Sequence, residues 1–151
     1  MSNQPPYGYP GGSQGYQGGG YPPPGAPTGK TKVLNLDYNV AAMLAYLPVC
    51  CASLVASIIW LASEPKENRF VRFHAMQSLI LAGVMLAAFF VLWVISFIAV
   101  RIFFGFGILI FLVEMALLAV WLVLTIMGCV KAYQNQMWKI PFIGDIAEKN
   151  A

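Results

Sequence analysis

Four side chains able to make strong polar contacts, Arg69, Arg72, His74 and Gln77, crowd the start of a long apolar run, "ENRFVRFHAMQSLILAG". On a helix, Arg69 and Arg72 are neighbours, as are His74 and Gln77, because residues three apart share a face. Two partners are open to the arginines. Their stems can lie along apolar surface while the guanidinium reaches lipid phosphate, or the guanidiniums can clamp the planar carboxylates of Asp145 and Glu148 near the C-terminus. His74 is the sole histidine, which rules out a multi-histidine metal site and favours a structural hydrogen bond over a proton relay. Gln77 is placed to bond across to a neighbouring helix. Glu114 is a carboxyl inside an otherwise uncharged stretch, and burying its charge in hydrocarbon is costly. Tyr46 and the carbonyl of Leu44, which Pro48 deprives of its usual helical donor, are expected at a matching depth. A structural hydrogen bond from Glu114 to that carbonyl is the first reading, and ion or proton handling the second.

Nothing here assembles into an enzyme. There is no nucleophile with a nearby base, no pair of catalytic carboxylates and no phosphate-cradling glycine loop. Cys50 and Cys51 sit inside one apolar window and Cys129 ends another, so disulfide and metal-ligand spacings are missing and apolar packing is their expected role. The net charge of +3 is spread along the chain, unlike a nucleic-acid footprint. No cofactor, metal or nucleic-acid partner is expected.

The elements that must carry these residues are apolar and long. Of 151 residues, 59% are hydrophobic and 10% charged, with a mean hydropathy of +0.69, whereas a soluble domain carries about 25% charged residues. No charge lies between Asp37 and Glu64 or between Arg72 and Arg101, and only Glu114 lies between Arg101 and Lys131. Each window exceeds the roughly 20 residues that cross a hydrocarbon core about 30 Å thick. The expectation is an all-α, polytopic membrane protein with three transmembrane helices, near residues 40–62, 75–100 and 107–130.

Small residues at a spacing of four, Ala41/Ala45, Ala52/Ala56 and Ser53/Ser57, prepare the first span for close helix contact, and Gly83 and Ala87 do the same for the second. Pro65 suits the first turn of a helix capped by Ser63. Gly105 and Gly107 are expected to break the chain between the second and third spans. Beyond Lys131, Ile140, Phe142, Ile143 and Ile146 form a short stripe beside Asp145, Glu148 and Lys149, suited to lying on the membrane. Residues 1–36 form a Gly/Pro/Tyr-rich tail that is expected to be disordered, because it cannot bury enough apolar surface to offset its ordering entropy.

Three spans place the 63–73 loop and the C-terminus on one side with six of the nine basic residues, leaving Lys30, Lys32 and Arg101 on the other. By the positive-inside rule the C-terminus is then cytoplasmic and the N-terminal tail external, with the protein in the plasma or inner membrane. The run "NRFVRFHAMQSLIL", preceded by "AYLPV" and followed by "WKIPFIGDIAEK", resembles a family of small bacterial and archaeal integral membrane proteins of uncharacterised function. More distantly it is similar to the twenty-kilodalton Tic subunit of the chloroplast import machinery. The resemblance implies a helical component of translocation or envelope assembly. The resulting expectation is a non-enzymatic protein working through membrane-protein partners or as a homo-oligomer. The alternative is an oligomeric small channel or carrier that uses Glu114.

Overall fold

The computed structural model describes residues 27–48 and 51–151. The expected disorder of residues 1–26 lies outside the described part. Residues 27–36, assigned above to the same tail, are folded: Lys30 and Asp37 form an antiparallel bridge, and Thr31 closes the turn through its backbone N–H to the Leu36 carbonyl at 2.8 Å. Leu34 and Asn35 take left-handed conformations, φ 65° and 50°, to make that turn.

Five helices follow: α1 (Tyr38–Leu44), α2 (Ala52–Ser63), α3 (Arg69–Ile102), α4 (Phe104–Tyr133) and α5 (Ile143–Asn150). There is no strand among the described residues. α3 and α4 are long and apolar enough to cross a membrane, and α2 is a shorter apolar helix.

The expected first span at 40–62 is not one helix. It is broken at Pro48 into α1 and α2, and the chain doubles back. The backbone N–H of Lys32, ahead of α1, donates to Glu64 Oε1, just past α2, at 2.7 Å. The Trp60 indole near the end of α2 donates to the Ala41 carbonyl in α1 at 2.9 Å. Entry and exit are therefore adjacent. Pro48 cannot continue an α-helix from Leu44, and the carbonyl of Leu44 is met by the N–H of Leu47 at 3.3 Å, a tightened last turn.

The second expected span starts earlier than residue 75. Asn68, and not Ser63, caps the helix that carries the polar cluster, its side chain accepting from the Val71 N–H at 3.4 Å. Ser63 ends α2 and bonds back to the Ile59 carbonyl at 2.7 Å. Between α3 and α4 the chain reverses at Phe103 alone, in extended conformation at φ −157°, ψ 124°. Gly105 and Gly107, expected to break the helix, lie inside α4. Gly107 serves close approach instead: a Cβ there would come within 2.5 Å of Val100 Cγ2.

Two clusters form the core. Ala41, Ala42, Ala45, Tyr46, Trp60, Phe70, Val71, Ala75 and Ala132 join α1, α2, α3 and the end of α4. Leu81, Met85 and Ile140 form the second with Phe89, Leu117, Trp121 and Leu124. Of the small residues read in the first segment, Ala41, Ala45 and Ser57 are fully buried, and Ser57 Oγ meets Ser78 Oγ of α3 at 2.6 Å, whereas Ser53 and Ala56 are half-buried and Ala52 is exposed. Gly83 does not pack, because a Cβ on it would meet nothing within 4 Å. Both clusters gather at one end of the α3–α4 hairpin. Toward Phe103 the two helices run without cover, with Phe90, Trp93, Phe97, Phe106, Leu109 and Leu112 all exposed.

Candidate functional site: a buried polar node and its neighbours

Tyr46, His74 and Gln77 meet in the interior with exposures of 1%, 0% and 0%. One turn of α3 supplies His74 and Gln77, and the turn after α1 supplies Tyr46. Gly128 of α4 makes room for the tyrosine, since a Cβ there would fall 2.6 Å from its ring. The third contributor is the extended segment between α4 and α5, which offers only backbone groups.

The direction of every hydrogen bond follows from the partners. His74 Nε2 faces the Gln136 carbonyl at 3.2 Å, so that nitrogen carries the proton and donates. His74 Nδ1 then accepts from the Tyr46 hydroxyl at 3.2 Å. The Tyr46 oxygen accepts from Gln77 Nε2 at 2.8 Å, and the same amide donates to the Trp138 carbonyl at 3.1 Å. Gln77 Oε1 accepts from the Ile140 N–H at 3.1 Å. A proton on His74 Nδ1 would turn that atom into a second donor toward Tyr46 and strand the tyrosine's own hydroxyl proton. The neutral imidazole is the form the node accommodates. Phe70 and Phe73 stand edge-on to the His74 ring at 4.8 and 5.1 Å, closing it off. With each polar atom engaged, the node is a fastening that binds the 134–140 segment to α3 and α1.

A second cluster holds the α2–α3 corner. Glu64, 4% exposed, accepts from Lys32 N–H at 2.7 Å on one oxygen and from Asn68 Nδ2 at 2.7 Å on the other. Arg72 Nη1 donates to the carbonyls of Leu61 and Glu64 at 2.8 and 3.1 Å. These are carbonyls at the end of α2, which lack helical donors, and a cation there also meets the negative end of the helix dipole. Arg72 thus caps α2.

The expected clamp of Arg69 and Arg72 on Asp145 and Glu148 is not formed. Both acids turn to Lys139, at 3.4 and 2.8 Å, which is nearer along the chain, while Arg72 is engaged at α2. Among the described residues Arg69 makes no ion pair. The Glu148 carboxylate, with Asp145, holds the exposed Lys139 ammonium above its ordinary pKa.

The C-terminal stripe also divides. Ile140 is buried at 4%, whereas Phe142 and Ile146 are 87% and 51% exposed. α5 packs on α3; Gly144 permits this, because a Cβ there would fall 2.6 Å from Lys139 Cβ and 2.9 Å from Gln77 Oε1.

Glu114 lies far from where its expected partners are. Tyr46 packs at Gly128, fourteen residues along α4 from Glu114, or about 21 Å at 1.5 Å per residue. The expected bond to the Leu44 carbonyl is therefore replaced by the Leu47 N–H. Depth matching failed because the first segment turns back before reaching that level. Glu114 is half-buried and has no hydrogen bond or ion pair among the described residues. Among these residues no group of three or more His, Cys, Asp or Glu could hold a metal ion.

Tyr46, His74 and Gln77 are all visible in the sequence, but their meeting is not. Glu64 and Asn68 were overlooked as loop residues; the signal was a carboxylate and an amide flanking the Pro65 turn.

Comparison with known proteins fits this architecture. UPF0132 membrane protein MJ1443 of Methanocaldococcus jannaschii is 40% identical over 122 residues, covering 80% of this chain and 94% of that protein. A UPF0132 membrane protein of Archaeoglobus fulgidus is 41% identical over 114 residues, 74% of this chain and 92% of its own. A second M. jannaschii relative, UPF0132 membrane protein MJ1527, is 34% identical over 123 residues, 77% of this chain and 71% of that protein. No solved structure matches. These findings support the kinship with archaeal membrane proteins and lend nothing to the likeness to the Tic subunit. Residues 37–147, which include the polar node, the α2–α3 corner and Glu114, match one family model, and the chain belongs to the magnetosome magnetite crystal formation protein family.

Proposed function

We propose that this chain is a non-enzymatic membrane scaffold that crosses the bilayer twice, through α3 and α4, and acts through protein partners presented with its folded tail on one membrane face. The observation that carries this reading is the node itself. Its histidine, tyrosine and glutamine are consumed in fastening the C-terminal segment, with no polar atom left for a substrate.

The doubled-back α1–α2 segment supports a one-sided arrangement. With the Lys32 N–H on Glu64, the N-terminal flank, the α2–α3 corner and the tail share one side. That side then holds Lys30, Lys32, Lys66, Arg69, Arg72, Lys131, Lys139 and Lys149, and Arg101 alone lies at the other end. Three crossings left Lys30 and Lys32 in conflict with the positive-inside rule; two crossings remove the conflict and place both termini in the cytoplasm. The family's description, magnetite crystal formation, is carried to this chain as organisation of a membrane on which other proteins work. The translocation role rested on the Tic likeness and is not taken up.

A photocrosslinker placed at Phe142 or Lys149 in native membranes tests this. The reading requires discrete protein adducts from these positions, lost when Gln77→Leu frees the tail. The channel reading requires instead an ion flux in reconstituted vesicles that Glu114→Gln alters; such flux, with no adducts, would replace the scaffold.

A further inference from the structure

Near the end of the hairpin that α1, α2 and α5 leave bare, α3 carries an ordered series of side chains. Phe90, Trp93 and Phe97 stack in succession, with ring centroids 6.3 Å apart at each step and planes inclined by 29° and 28°. All three are exposed. Arg101 tops the series, its guanidinium carbon 5.1 Å over the Phe97 ring. Trp93, Ser96, Phe97, Val100 and Arg101 line an open groove of about 220 Å³. α4 meets α3 at Val100, where Gly107 makes room, and leaves these rings uncovered.

Depth follows from the charges. Arg72 and Arg101 lie twenty-nine residues apart on α3 with no charge between them, a rise of about 44 Å, and a bilayer with its headgroup layers is about 40–45 Å thick. If α3 crosses the bilayer, as proposed above, Arg101 therefore stands at the level of the lipid phosphates. Ser96 is then about 7.5 Å deeper and Phe90 about 16 Å deeper. The Phe97 ring attracts the Arg101 cation but offers its N–H donors no oxygen. Among the described residues Arg101 makes no hydrogen bond or ion pair, and the Ser96 hydroxyl makes no hydrogen bond. The cations at the other end differ, since Arg72 is engaged by the carbonyls of α2 and Lys139 by two carboxylates.

We propose that this groove seats one anionic phospholipid of the leaflet at the Phe103 end, its phosphate on the Arg101 guanidinium, its glycerol oxygens at the Ser96 hydroxyl and one hydrocarbon chain along the stacked rings. Charge complementarity selects the headgroup, because a guanidinium is matched by a phosphate and this one has no acid of the chain beside it. The order along the helix selects a lipid over other anions. Cation, hydroxyl and aromatic hydrocarbon succeed one another inward from the membrane face, as phosphate, glycerol and chain do in a phospholipid. A free phosphate would use Arg101 and leave the rings bare.

The inference rests on α3 crossing the bilayer and is tested apart from the sidedness of the termini. Full-length protein is reconstituted in phosphatidylcholine vesicles with a trace of photoreactive lipid, a diazirine on its acyl chain and either a phosphatidylglycerol or a phosphatidylcholine headgroup. Adducts are mapped to peptides. On residues 90–100 the phosphatidylglycerol probe is expected to exceed the phosphatidylcholine probe by about fivefold, the size of one interfacial arginine's attraction for an anionic lipid. Unlabelled phosphatidylglycerol should compete this excess away, and inorganic phosphate should not. Arg101→Gln should bring the two probes level, whereas Ser96→Ala should lower both yields and keep their ratio, because both lipids carry glycerol oxygens. Protease protection of the C-terminal tail is the folding control, since the tail is fastened at the opposite half of the hairpin. Equal yields from the two probes on the unmodified protein would overturn the proposal, as would an excess that survives Arg101→Gln. So would adducts no denser on residues 90–100 than on the exposed face of α4. Competition by inorganic phosphate would replace the lipid with a free anion. Sided labelling reads the two-crossing arrangement independently, so a failure here leaves that reading standing.

Discussion

At the scale of single residues, the outcome turns on which polar atoms find partners. Tyr46 both accepts from Gln77 and donates to His74, so Tyr46→Phe strands a buried imidazole nitrogen and an amide proton together. We expect a loss of about 1–3 kcal/mol, read as a lower thermal unfolding midpoint in detergent. Gln77→Leu should cost more, because it abandons the Tyr46 oxygen, the Trp138 carbonyl and the Ile140 N–H at once. Equal midpoints for the two variants would argue against the bond directions assigned here. His74 and Gln77 were legible as structural hydrogen-bonders because polar groups at the mouth of an apolar run must be satisfied somewhere. Their partners were not legible: Gln136, Trp138 and Ile140 contribute backbone atoms, which no residue type announces. Arg72 was misread for a related reason. Side-chain carboxylates attract notice in a sequence, while the free carbonyls at a helix end do not, and it is those of Leu61 and Glu64 that hold it.

At the scale of elements, α5 is held on α3 by a close approach at Gly144, where an added methyl would meet backbone and cannot be relieved by a rotamer change. Gly144→Ala should therefore loosen the tail, by about 1–3 kcal/mol for overpacking, and expose residues after Tyr133 to protease. Combining Arg72→Glu with Asp145→Arg should give no rescue of tail protection, since the two side chains have different partners. A restored tail in that double variant would reinstate the clamp that the structure does not form. The Lys139 ion pairs are exposed and worth little, so neutralising Lys139 should leave tail protection nearly unchanged. Because Lys139's pKa is raised, any contribution it makes is present at neutral pH and is lost only as pH climbs through that raised value. The long apolar runs of α3 and α4 were readable from length alone, with boundaries moved by a few residues. α1 and α2 were not, because composition cannot distinguish a straight crossing from a hairpin of similar length. Pro48 marked the break, and what it did not reveal is that the chain reverses there.

At the scale of the whole molecule, charge and topology agree once the reversal is included. On the two-crossing arrangement proposed above, eight of nine basic residues fall on one side; the core gathers at that end of the hairpin, and two bare helices extend to Phe103. The sequence carried the membrane class and the basic flank of the loop. It hid the placement of Lys30 and Lys32, which depends on a contact between Lys32 and Glu64 across thirty-two residues. Sided labelling tests this arrangement most directly. In a chain whose Cys50, Cys51 and Cys129 are replaced by alanine, single cysteines at Lys30, Lys66, Phe103 and Asn150 are reacted with an impermeant maleimide in intact cells and in inverted vesicles. The account predicts that Lys30, Lys66 and Asn150 label together from the cytoplasmic face and Phe103 from the other. Labelling of the Lys30 position with Phe103 and apart from Lys66 and Asn150 would mean that residues 38–63 cross the membrane, and would contradict it.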